Sequence, residues 1–233
     1  IGAGLGGMQA LQWASAYPRR TFASVTIAAA ARQTPQAMAL SELGRQAIMA
    51  DPDWRGGGYL AHGVRPGKGL AIARAAAQIG NLSEHDLRGA FESAASRERF
   101  VLDSEFDTES SRQQGGGFVS RFDANSYLYL SRAMDRFDLG ADFGGNLANA
   151  FQGGATRHSV FAFSKDWRCP PDAARMLAQS LIAAGAEASY VEIDTPKGHD
   201  AYLGEEPAFE AALTGFIDAA ALARGLSLQS GGR

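Results

Sequence analysis

Two short apolar runs near the carboxyl end constrain the fold more than any other feature of the chain. Residues 159–163 form a continuous apolar run of the kind buried on both faces of a sheet, and residues 188–193 alternate well enough to be another strand. Between them, residues 170–184 open on prolines, which a first helical turn tolerates, and stop at Gly185, a residue suited to ending a helix. Residues 25–31 repeat the buried-strand signature upstream, and residues 9–17 place apolar groups at helical spacing between a glycine turn and Pro18. Strands alternating with helices point to one parallel sheet with helices on both faces. Residues 207–222 add an amphipathic helix, and residues 225–233 read as a frayed tail.

The middle of the chain lacks clear strand runs and holds helical patterns, aromatic pieces and glycine loops instead. An inserted helical cap over residues 32–157 is the economical reading, leaving residues 1–31 and 158–233 as the core. The 28 glycines sit in short groups such as Gly56–Gly58 and Gly115–Gly117 rather than in a repeat, and those groups read as loops. Three strands make a thin sheet, so its first strands are expected to lie outside this chain. Residues 1–8 carry neither an initiator methionine nor a signal peptide, and the chain reads as a piece of a longer protein.

Residues 1–7 admit two readings. They satisfy G-x-G-x-x-G, the phosphate-cradling turn of flavin and nicotinamide proteins, but such a site also wants an acidic residue about 20 positions on. The first acidic residue is Glu42, beyond the next strand. The other reading is a nucleophile elbow, G-x-S-x-G, with Gly2, Gly4 and Gly6 in the first, nucleophile and last positions and small residues where strand and helix backbones approach. Gly4 supplies no oxygen there.

The carboxyl-terminal loops favour the elbow. Enzymes built on such a turn order their triad as nucleophile, acid and histidine, with the last two after late strands. Asp166 follows one strand and His199 the next. His199 would act as general acid and base, with Asp166 holding its tautomer. Alone, Asp166 would read as a helix cap and His199 as a solvated loop residue; three positions in the right order weaken both readings. His62, His85 and His158 lack this setting and read as surface or packing residues. No metal-ligand spacing stands out.

Composition excludes other classes. A formal net charge of -3 with scattered basic residues gives no attraction for nucleic acid or anionic lipid. No apolar run nears the roughly 20 residues that span a bilayer. The single cysteine, Cys169, forms no internal disulfide, and a reducing cytoplasm is the expected location.

With these residues in place, the chain resembles the homoserine O-acetyltransferase family of the α/β-hydrolase superfamily. Residues 6–14 resemble the segment after that family's elbow, and residues 45–54 the start of its cap; residues 121–130, 190–194 and 198–201 are equally characteristic. The resemblance implies an α/β-hydrolase fold with an inserted helical cap. It implies acyl transfer from acetyl- or succinyl-coenzyme A, a co-substrate rather than a bound cofactor, to the hydroxyl of L-homoserine on the route to methionine. It implies Gly4 in the place of the serine, Asp166 and His199 as acid and base, and the Leu5 N–H as half of the oxyanion hole. Arg74 matches an arginine of the active-site tunnel and Asp200 a substrate-binding aspartate, roles that suit the substrate's carboxylate and ammonium. It also implies a cytoplasmic homodimer paired through the cap helices. Departures from the pattern are Gly4 itself, Ser41 in place of asparagine, and residues 110–117 without the expected aromatics. An esterase of the same fold and a non-catalytic homologue that binds without turnover are the competing readings.

Overall fold

A computed structural model of the chain describes residues 1–92 and 117–227. Residues 110–116, where aromatics are expected, and residues 228–233 of the expected tail lie outside the described residues. In chain order the main elements are β1 (Gly2–Ala3), α1 (Leu5–Ala16), β2 (Ala23–Ile27), α2 (Pro35–Ala50), α3 (Gly67–Asn81), α4 (Glu84–Glu92), α5 (Ala124–Arg136), β3 (Arg157–Phe163), α6 (Pro171–Ala183), β4 (Ala188–Ile193) and α7 (Pro207–Ala223). The chain divides into two compact units: Ile1–Arg32 with Phe137–Arg233, and Gln33–Arg136.

The first unit is a four-stranded sheet in the order β1-β2-β3-β4, parallel throughout. Its central strand shows why the apolar run at 159–163 is continuous. Val160 and Ala162 pack into one cluster with Leu11 and Ala14 of α1 and Leu177 and Leu181 of α6. Phe161 and Phe163 point the other way, into a cluster with Val25, Ile27, Ile193 and Phe209 of α7. Alternate side chains leave a strand on opposite faces, so helices on both faces require apolar residues at every position. Phe161 and Phe163 are fully buried, and each contributes roughly 1.5–3 kcal/mol.

Two boundaries differ from expectation. β2 ends at Ile27 because Ala28 takes a left-handed backbone, φ 46°, which breaks the extended run while residues 28–30 stay buried. Residues 137–156, expected in the insertion, pack with the sheet unit: Leu139, Ala150 and Phe151 share the cluster of Leu11 and Val160, and the Leu139 N–H donates to the Ala31 carbonyl at 3.0 Å. This stretch runs as short 3-10 turns rather than strands, so strand periodicity could not place it.

The second unit is helical among its described residues. Ile48, Tyr59, Leu70, Ala73 and Ala124 form its core. Thr34 caps α2 by accepting the Ala37 N–H at 3.1 Å, and Asp51 accepts the Gly69 N–H of α3 at 2.8 Å. The two segments 45–54 and 121–130 are stitched together: the Trp54 indole donates to Asn125 Oδ1 at 3.0 Å, the Asn125 amide donates to the Gly57 carbonyl at 2.9 Å, and the Tyr59 hydroxyl donates to Asp123. Arg45, 5% exposed, pairs with Asp135 of α5 at 2.6 Å and with Glu42 at 2.7 Å. Those motif residues build this unit. Among the described residues, no helix is long and apolar enough to cross a membrane.

Candidate active site

Three of the sequence-expected positions meet at the carboxyl edge of the sheet. Position 4 follows β1, Asp166 follows β3 and His199 follows β4. In a parallel sheet the carboxyl ends open on one edge, which brings residues far apart in sequence together.

The elbow itself is built by steric exclusion. A Cβ on Gly2 would stand 2.0 Å from the Gly6 carbonyl oxygen, and one on Gly7 would stand 2.6 Å from Ala29 Cβ. Only hydrogen fits at either position, so strand and helix can close over one another. At Gly6 an added Cβ meets nothing within 4 Å among the described residues, so that glycine, the expected last position of the elbow, is not required by packing here. Gly4 holds the turn at φ 51° and ψ -119°, a conformation that costs any other residue strain. Its N–H donates to the Ile27 carbonyl and its own carbonyl accepts the Met8 N–H, both at 3.1 Å. α1 starts at Leu5, whose N–H belongs to the first helical turn, where backbone donors lack intrahelical partners.

A Cβ built on Gly4 would meet His199 Nε2 at 3.8 Å and nothing nearer among the described residues. His199 is held from the other side: its Nδ1–H donates to Asp166 Oδ2 at 2.7 Å. That bond leaves the Nε2 lone pair directed at position 4. Asp166 is 2% exposed, and its other oxygen accepts the Cys169 N–H at 2.8 Å. A buried carboxylate with both oxygens engaged cannot swing away from its imidazole. The acid–histidine pair and the position of the missing hydroxyl are thus set out as in an acyl-transfer triad.

The loop carrying His199 has its own fastenings, which sequence reading did not single out. Ser164 Oγ accepts the Thr195 N–H at 3.1 Å, Thr195 Oγ1 donates to Glu206 at 2.7 Å, and Lys197 pairs with Glu206 at 3.1 Å. These are local polar residues in loops, and only tertiary contact gives them this role. Tyr202 stands edge-on to His199, 6.3 Å between ring centroids; burial first, then the Asp200 and Asp166 charges, raise its pKa and keep the phenol neutral. Burial and the Asp166 charge likewise push the Cys169 thiol up, so no thiolate is available as a substitute nucleophile.

The remaining sequence candidates fall in different places. Asp200 follows His199 in the same short turn and is half-buried. Arg74 belongs to α3 of the second unit, where its guanidinium lies over the Phe118 ring at 5.0 Å and its buried Nε has no hydrogen-bond partner among the described residues. His62 and His85 are exposed. His158 is buried on β3 with its ring edge-on to Phe151 at 5.4 Å, a packing residue whose pKa burial lowers to about 4. Among the described residues, no group of three or more His, Cys, Asp or Glu side chains is arranged to hold a metal ion.

An elbow, a buried acid and a histidine on carboxyl-end loops of a parallel sheet define the chain as an α/β-hydrolase-fold domain. Solved structures agree on the fold: a homoserine O-acetyltransferase from Bacillus anthracis superposes with TM-score 0.72 at 23% identity, over 86% of this chain and 54% of that one. Esterase E22 does so with TM-score 0.69 at 22% identity, over 86% of this chain and 55% of its own. In sequence the chain is similar to proteins named homoserine O-acetyltransferase. It is 53% identical over 97% of its length to the protein of that name from Mesorhizobium japonicum, and 52% identical over 97% to that from Caulobacter vibrioides. It spans 59% of the first relative and 60% of the second. No protein-family profile matches the chain.

Proposed function

We propose that the protein carrying this chain moves an acyl group, acetyl or succinyl, from acyl-coenzyme A to the hydroxyl of L-homoserine, on the route to methionine. The observation that carries this is the 53% identity, over 97% of the chain, to a protein named homoserine O-acetyltransferase. The geometry supports it: His199 Nε2 faces the place of an elbow side chain, and Asp166 fixes the imidazole from behind. His199 would take the proton of the attacking hydroxyl and return it to the leaving thiolate. The Leu5 N–H would steady the oxyanion. Asp200 and Arg74 take the roles that the resemblance assigns them, toward the ammonium and carboxylate of homoserine. A cytoplasmic homodimer belongs to the same proposal, and light scattering tests the dimer.

Ester hydrolysis is the competing reading, because water can replace the acceptor at such a site; the likeness to esterases extends to the fold alone. The test is acyl transfer from acetyl-coenzyme A to L-homoserine, with the protein as it is and with Gly4→Ser. Formation of O-acetylhomoserine by the serine form supports the proposal. Hydrolysis of simple acetyl esters without transfer to homoserine would replace it with the esterase reading.

A further inference from the structure

The site keeps the acid and the histidine of an acyl-transfer triad without the nucleophile, and among the described residues no neighbouring side chain supplies one. Cys169 is buried with its thiol pKa pushed up. The hydroxyl of Ser164 is bonded to Asp194 at 2.9 Å, and that of Thr195 to Glu206 at 2.7 Å. Yet the base is fully prepared, with Nδ1 bonded to Asp166 at 2.7 Å and Nε2 3.8 Å from where a Cβ on residue 4 would stand. A serine oxygen would project from that Cβ by about one bond length. Glycine leaves the same space open to an oxygen from solution, within reach of Nε2.

Resting on the acyl-transfer reading above, we propose that this chain works by a single displacement in which a hydroxyl from solution occupies the space over Gly4. His199 Nε2 removes the O–H proton as that oxygen forms its bond to the acyl carbonyl carbon. The carbonyl oxygen becomes the oxyanion beside the Leu5 N–H at the start of α1. The tetrahedral species collapses, the carbon–sulfur bond breaks, and the departing thiolate receives the proton from Nε2–H. His199 ends neutral, and no covalent acyl-enzyme forms. Either an acceptor alcohol or water supplies the oxygen; the chemistry is shared, and the two give different products.

The experiment compares the protein carrying Gly4 with its Gly4→Ser, His199→Ala and His199→Gln variants, each checked for folding by circular dichroism. Release of free thiol from acetyl-coenzyme A is followed with and without L-homoserine, and intact mass is recorded during turnover. The Gly4 protein should release thiol about 100-fold faster than either folded His199 variant. It should carry no acetyl adduct and stand at least about 1,000-fold below Gly4→Ser. Ester product confined to reactions with homoserine identifies the alcohol as the source; thiol release without it identifies water. A Gly4 rate no faster than the His199 variants, or an acetyl adduct on the Gly4 protein, overturns the single displacement while an active Gly4→Ser leaves the acyl-transfer reading standing. A folded Gly4→Ser that is inert toward acetyl-coenzyme A and homoserine overturns both.

Discussion

A Cβ on residue 4 would stand 3.8 Å from His199 Nε2, with nothing closer among the described residues. Position 4 and His199 therefore keep the separation that a serine hydroxyl would bridge, although residue 4 has no side chain. Gly4→Ser should be accommodated without steric displacement, at a backbone cost of about 1–3 kcal/mol because φ is 51°. Urea denaturation should show that loss while turnover rises. A serine form as stable as the glycine form would mean that the turn relaxes out of its left-handed geometry.

In the proposed mechanism Asp166 acts only through His199, to which it is bonded at 2.7 Å. Asp166→Asn keeps the shape but lets the amide bond the imidazole in the wrong tautomer, which turns the Nε2 lone pair into a donor. In the Gly4→Ser background kcat should fall by about 10⁴-fold with KM little changed, measured by steady-state thiol release.

Much of this site was legible in the sequence because its parts obey local rules. Asp166 and His199 each follow a strand that shows itself as an apolar run, and the parallel order of those strands puts their loops on one edge. The glycine-rich run at residues 1–7 was legible as a tight turn. The distances were not, because they depend on register and on contacts such as Cys169 N–H to Asp166 that join residues through tertiary packing. The limit of the insertion was missed for the same reason. Residues 137–156 have no regular period, and only the burial of Leu139 and Phe151 against Leu11 and Val160 assigns them to the sheet unit. Segments 45–54 and 121–130 stood out as characteristic without revealing a role; their partnership, Trp54 with Asn125 and Tyr59 with Asp123, is long-range.

His158 makes stability depend on pH. Burial lowers its pKa from 6.5 to about 4, so the unfolded chain binds the proton more readily than the folded one. The stabilisation is fully present above pH 6.5 and is lost as pH falls toward 4, by up to about 3 kcal/mol. Urea titrations at several pH values across that window should show this slope, and His158→Phe should flatten it relative to the parent. An unchanged slope in His158→Phe would assign the dependence to other groups.

Arg45 and Asp135 are joined at 2.6 Å with side chains 6% and 10% exposed, and Arg45 Nη1 and Asp135 Oδ1 are buried without partners. Removing Arg45 strands the buried Asp135 carboxylate, whereas removing Asp135 leaves Arg45 its pairing with Glu42. Arg45→Met should destabilise by about 3–5 kcal/mol, Asp135→Leu by less, and the double substitution by less than Arg45→Met alone. A double-mutant cycle in denaturant checks this; additive losses would show that the pair is not coupled.

The most direct measurement of the central claim, that position 4, His199 and Asp166 form an acyl-transfer site, is intact-protein and peptide mass spectrometry of Gly4→Ser mixed with acetyl-coenzyme A. The expected result is one acetyl group on residue 4, absent when His199 is also replaced by Ala and discharged as O-acetylhomoserine on adding L-homoserine. A folded Gly4→Ser protein that acquires no acetyl group at residue 4 would contradict the claim.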